Sequence, residues 1–166
     1  MKDTGGFAKG ASWNESESYR DAVSLRRGRR LTTRGQLNVA PSYHTDTCFT
    51  ADGRHLVFVT QRDGLFAICK AEVATGVVTA LTHPLPAQHL RTDEMTFASE
   101  ARWVLYNTRT AVAAVHMDTL EERVIRAVEP AVELVSIPGI TADGRRVAYT
   151  VFPASPPELA DKGDTL

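Results

Sequence analysis

Three arginines and a histidine are the side chains whose types and positions invite chemistry: Arg62, Arg91, Arg109 and His44. They sit in short polar stretches between apolar runs: Gln61-Arg62-Asp63, Arg91-Thr92-Asp93, Asn107-Thr108-Arg109 and Tyr43-His44-Thr45-Asp46. A guanidinium pairs with a carboxylate through two parallel hydrogen bonds, so such a set suits a ligand that carries a carboxylate. Each residue also has a plainer structural reading. Arg62 and Asp63 fit a polar hairpin loop, Arg91 and Arg109 do likewise, and His44 fits a hydrogen-bonded structural histidine. No residue qualifies as catalytic on this pattern.

Other chemistry finds little support. His83 and His89 lie six apart around Pro84 and Pro86, which is not a zinc-ligand spacing. His55 and His116 fall inside apolar strands and read as packing residues. Cys48 and Cys69 are too few for a disulfide framework and read as buried free thiols. The chain has neither a Gly-x-Ser-x-Gly elbow nor a Walker-type phosphate loop, and isolated serines such as Ser136 before Pro138 carry no nucleophile argument. No metal or cofactor is assigned to residues of this chain. Basic and acidic side chains nearly balance, 19 against 20. The run Arg26-Arg27-Gly28-Arg29-Arg30 with Arg34 therefore reads as a solvated strand or loop, with no nucleic acid as partner. Met1 to Glu17 has no apolar core of signal-peptide length, and no stretch of 18 apolar residues could span a bilayer. A soluble cytoplasmic protein is expected, unless a leader precedes this sequence.

The elements that would position these residues come from a repeat. Thr50-Ala51-Asp52-Gly53-Arg54 returns unchanged as Thr141-Ala142-Asp143-Gly144-Arg145, its glycines 91 residues apart. That is two periods of about 45, the interval of a propeller blade. A copy at half that distance is Ala98-Ser99-Glu100-Ala101-Arg102, which has lost its glycine. Asp-Gly tolerates the positive φ of a tight hairpin turn. The strands that leave it, such as Leu56-Val57-Phe58-Val59, are apolar on both faces, as stacked sheets require. Leu65 to Cys69 reads as a third strand, Ala74-Thr75-Gly76 as a turn and Val77 to Thr82 as a fourth. In the next unit these become Ala111 to Met117, Asp118 to Glu121 and Glu122 to Ala127. An echo of the outer half comes first, in Asp21 to Thr32, which ends Arg30-Leu31-Thr32 as the later copy ends Ala80-Leu81-Thr82.

The fold class expected is all-β: a partial β-propeller of about two full four-stranded blades, roughly 43–82 and 93–128, with flanking half-blades. Residues 1–18 are expected as a disordered N-terminal segment, 19–152 as the incomplete propeller and 153–166 as a polar tail, with helix confined to a turn at Pro157 to Lys162. An open arc leaves both end faces apolar, so self-association through open blade faces is one expectation and a truncated gene product another.

Several stretches resemble the oligogalacturonate lyase family: Tyr19-Arg20-Asp21 leading to Arg30-Leu31-Thr32, Cys48 to Phe58, Arg62-Asp63-Gly64, Ala74-Thr75-Gly76 through Leu81-Thr82, and Val115 to Ile125. The resemblance implies a seven-bladed propeller that cleaves short galacturonate oligomers by β-elimination, with a divalent metal, commonly manganese, near the site. It makes an oligogalacturonide the implied partner; His44, Arg62, Arg91 and Arg109, in the loops expected at a propeller's channel mouth, are then the candidate substrate contacts. It also places the family's catalytic base and its His/Gln metal cluster in later blades, so this chain alone is expected to be inactive. Asp-Gly turns and Thr-Gly before Leu-Thr also occur in Tol–Pal-type propellers and in the propeller domains of prolyl peptidases. A Tol–Pal-like or WD40-like propeller acting as a protein-binding or scaffold module is the alternative.

Overall fold

A computed structural model of the chain describes residues 8–40, 47–86, 95–108, 111–127, 132–141 and 143–153, with backbone alone at 132–138 and 151–153. The described elements are all strands. They are β1 (Ser12–Asn14), β2 (Glu17–Arg20), β3 (Arg27–Arg30), β4 (Leu37–Val39), β5 (His55–Arg62), β6 (Leu65–Glu72), β7 (Val77–Ala80), β8 (Leu85–Pro86), β9 (Met95–Ala98), β10 (Trp103–Asn107), β11 (Ala111–His116), β12 (Glu122–Ala127), β13 (Val132–Ile140) and β14 (Val147–Pro153). Pro157 to Lys162 lies outside the described residues.

Strands adjacent in sequence pair antiparallel in successive sheets. The first runs β1-β7-β6-β5-β4, with β8 continuing beside β6; the second runs β12-β11-β10-β9; β13–β14 and β2–β3 are two-stranded. Alternation along each strand divides the apolar residues between two faces. Val57, Val59, Phe66, Ile68 and Leu81 of the first sheet meet Met95, Val104, Tyr106, Val115 and Met117 of the second. On the second sheet's other face, Leu105, Val112 and Ala114 meet Ile140, Val147 and Tyr149 of the third. Each large side chain buried this way stabilises the stack by about 1.5–3 kcal/mol. No sheet can hide both faces alone, so the stacking is obligatory.

The repeated pentapeptide makes the same turn twice, bond for bond. Gly53 N–H donates to Thr50 O at 2.8 Å and Gly144 N–H to Thr141 O at 2.8 Å. The threonine hydroxyl donates to the aspartate Oδ1 at 2.5 and 2.6 Å, and the arginine N–H donates to that same oxygen at 3.0 Å in both. The next N–H, of His55 or Arg146, closes on the threonine Oγ1 at 3.0 and 3.1 Å. Both glycines are left-handed, at φ 66° and 69°, where a Cβ is disfavoured. In the middle copy the left-handed position moves one residue on, to Arg102 at φ 58°, whose N–H donates to Ala98 O at 2.7 Å. The same four-residue loop between Ala98 and Trp103 is thus kept without a glycine.

Three expectations change. The innermost strand of the first sheet begins at Leu37, not near residue 43. That strand is split between β4, which pairs Val39 with Val59, and a single bridge from Phe49 to Leu56. And Ser12–Asn14, expected in a disordered segment, adds a fifth strand along β7. Trp13 and Leu31 pack with Phe58, Ala67, Cys69, Ala71, Val78 and Ala80 on the face turned away from the second sheet. That face was expected to lie open. It is covered because its residues are mostly small, letting the N-terminal backbone come close: Gly10 N–H donates to Ala80 O at 2.8 Å and Ala80 N–H to Ala11 O at 3.0 Å.

Candidate functional site

β5 ends and β6 begins with a two-residue hairpin, Asp63 and Gly64, both left-handed at φ 50° and 79°, the geometry of a type I′ turn. Gln36 fixes it from outside: its Oε1 accepts from Gly64 N–H at 3.0 Å, and its own N–H donates to Gln61 O at 2.8 Å. Arg62 projects from the strand end on the same face as Phe58. Its Nη2 lies 2.5 Å from Glu15 Oε1, and the guanidinium stacks 4.7 Å from the Trp13 ring. The Glu15 side chain is only 7% exposed, so this cation is what makes burial of that carboxylate tolerable.

Around the pair lies a cleft of about 420 Å³ lined by Trp13, Asn14, Glu15, Thr33, Arg34 and Arg62 among others. A second of about 290 Å³, lined by Arg34, Gly35, Gln36, Arg62 and Asp63, adjoins it through the two shared arginines. Arg34 is exposed. A carboxylate ligand entering here would meet Arg34 first, with Arg62 already engaged by Glu15 and Trp13.

At the opposite end, by the Asp52-Gly53 turn, a charged cluster joins two sheets. Asp118, in the turn between β11 and β12, accepts from Arg102 Nε at 2.5 Å and Nη2 at 2.9 Å, and from Lys70 Nζ of β6 at 3.4 Å. Lys70 also donates to Met117 O at 2.8 Å. The hydrogen bonds from Arg102 above all hold the Asp118 carboxyl down to about 2. His55 nearby is lowered, first by burial and then by the charges of Lys70 and Arg102. Burial pushes the Cys69 thiol up to about 12, so it is inert as a nucleophile at neutral pH. Among the described residues no three His, Cys, Asp or Glu side chains gather as a metal-ligand set. They do not fit a divalent cation.

Of the four residues singled out from the sequence, Arg62 is described as above; His44, Arg91 and Arg109 lie outside the described residues. Sequence reasoning missed Glu15, Trp13 and Arg34. A tryptophan two residues before a carboxylate, in an otherwise polar stretch, was the available signal.

No family model matches the sequence, and no curated protein matches it. Solved structures do. The oligogalacturonate lyase of Vibrio parahaemolyticus superposes with a TM-score of 0.68 at 24% identity, over 82% of this chain and 36% of that one. An oligogalacturonate lyase in complex with manganese gives 0.67 at 23%, over 84% and 37%. A protein assigned as TolB from Agrobacterium tumefaciens gives 0.52 at 18%, over 74% and 41%. This chain therefore spans little more than a third of the lyase chains it matches. The likeness establishes the fold as blades of a β-propeller.

Proposed function

We propose that the chain forms the opening blades of a lyase-type propeller that handles short galacturonate oligomers, providing framework and a carboxylate-contacting rim while the reacting groups lie elsewhere. The observation that carries this reading is the gap between the two lyase superpositions, 0.68 and 0.67, and the TolB one, 0.52.

The chemistry sets what such a propeller must hold. β-Elimination takes the proton at C5, beside the sugar carboxylate, and that proton is not acidic while the carboxylate charge stands. A cation must neutralise it and a base must take the proton. The described residues supply a cation in Arg34, beside the Arg62–Glu15 pair, but neither a poised base nor a metal-binding set. On this reading the described residues hold a carboxylate, and the elimination itself belongs to groups elsewhere in the propeller.

Titration calorimetry of the 166-residue chain with digalacturonate tests this. Saturable heat is expected, absent with a neutral disaccharide of the same size and weakened at least tenfold by Arg34→Ala. Incubation with digalacturonate and Mn²⁺ should give no unsaturated product. Equal heat from the neutral sugar, or none from digalacturonate, would remove the sugar reading in favour of a protein-binding propeller, the reading the TolB likeness supports.

A further inference from the structure

Arg62 is held in place by more than its carboxylate partner. The guanidinium lies 4.7 Å from the centre of the Trp13 ring. Trp13 is fixed in turn by its pairing with Val78 and by packing on the small side chains of the first sheet. A guanidinium laid on an aromatic ring keeps its N–H edge for a planar anion. Here that anion is the carboxylate of Glu15, whose side chain is 7% exposed. The Glu15 backbone does not depend on that contact. Thr33 Oγ1 donates to Glu15 O at 2.9 Å. Before it, Asn14 Nδ2 donates to Thr75 O at 3.0 Å and Ser12 Oγ lies 2.8 Å from Thr79 Oγ1; after it, Ser16 N–H donates to Asn14 Oδ1 at 3.0 Å. The carboxylate can therefore leave Arg62 by turning about its own side-chain torsions, while the segment stays on β7.

Charge balance decides what would make it turn. Glu15 and Glu17 line the larger cleft together with Arg34 and Arg62, and Asp63 joins the same two arginines in the adjoining one. An entering carboxylate meets no net positive charge there unless a resident carboxylate withdraws, and Glu15 is the one seated on a guanidinium beside an aromatic ring. We propose that Glu15 is a built-in stand-in for the ligand's carboxylate: an entering galacturonate displaces it, pairs with Arg62 beside Trp13 and keeps Arg34 on its open side. One carboxylate replaces another, so the exchange leaves no buried charge without its counter-charge, and Glu15 regains the water that the ligand gives up. A neutral sugar has no charge to exchange and leaves Glu15 seated. The inference rests on the galacturonate reading of the cleft and names the residue that regulates access to it.

Glu15→Gln keeps the size and one acceptor oxygen of the side chain and removes its charge. In titration calorimetry of the 166-residue chain, Glu15→Gln should bind digalacturonate about tenfold more tightly than wild type, the scale of one charge-assisted hydrogen bond. Equal or weaker binding by Glu15→Gln, with saturable heat from wild type, overturns the displacement and leaves the galacturonate reading standing. No heat from either form overturns both. Carbon-13 NMR of wild type labelled at glutamate Cδ reads the same exchange without a substitution. With saturating digalacturonate the Glu15 signal should move to the position of a solvent-exposed glutamate, and with the neutral disaccharide it should stay where it is. A Glu15 signal that saturating digalacturonate leaves unmoved overturns the proposal.

Discussion

Asp118 takes hydrogen bonds from Arg102 of its own blade and Lys70 of the neighbouring one, so a single carboxylate both closes a turn and clamps two sheets. Its folded pKa, about 2, lies below the ordinary aspartate value of about 3.9. A depressed carboxyl pKa means stability that is complete above the ordinary value and lost as pH falls toward the folded one. The window is thus roughly pH 4 down to 2. The Asp118 side chain is 44% exposed, so solvent screening limits the effect to about 0.5–1 kcal/mol. Denaturant midpoints of Asp118→Asn are expected to lie below wild type at pH 6 and to converge with it at pH 2; a constant difference across that range would contradict the assignment. The Arg62–Glu15 pair shows what a sequence reader sees at this scale and what stays hidden. Arg62 was legible from its place beside Asp63-Gly64, a local turn signal. Its partners Glu15 and Trp13 were not, because Glu15 lies 47 positions away and Trp13 farther still, and contact at that separation leaves no periodicity to read.

At the level of strands and turns, legibility followed how much each element depends on its own residues. The Thr-Ala-Asp-Gly-Arg turns were readable because every bond in them is made within six consecutive residues. β1 was not, since three residues with one apolar side chain between polar neighbours form a strand only when β7 offers an edge. The split inner strand, β4 and the Phe49 bridge, was also hidden, its register being set by β5. Two glycines separate the local contribution from the tertiary one. At Gly53 a Cβ would meet nothing within 4 Å, so Gly53→Ala should cost about 1 kcal/mol, the left-handed φ alone. At Gly76, also left-handed, a Cβ would collide with the Ser16 side chain, in the N-terminal segment that Asn14 Nδ2 ties to the turn by donating to Thr75 O at 3.0 Å. Gly76→Ala should lower the melting temperature clearly more than Gly53→Ala and speed proteolysis between β1 and β2. Equal melting temperatures and equal cleavage would show that the segment is not seated there.

Taken whole, the chain is a stack whose ends differ. The first blade is sealed by residues 8–36 of the same chain, down to Lys9 reaching Glu122 of the second blade at 2.7 Å, whereas the second blade's outer strand β12 stands exposed. The all-β, stacked-sheet architecture was legible because a 91-residue repeat constrains everything between its copies. The sealed end was not, because covering a face of alanines takes backbone proximity rather than a recognisable apolar motif. A propeller requires successive sheets to lie face to face. Methyl NOE spectroscopy on the intact chain tests this most directly. Cross-peaks should link Val57, Ile68 and Leu81 of the first sheet with Met95, Val104, Val115 and Met117 of the second, and Leu31 with Ala67 and Ala80 at the sealed end. A folded chain whose methyls show contacts within each sheet but none between the first and second would contradict the propeller arrangement.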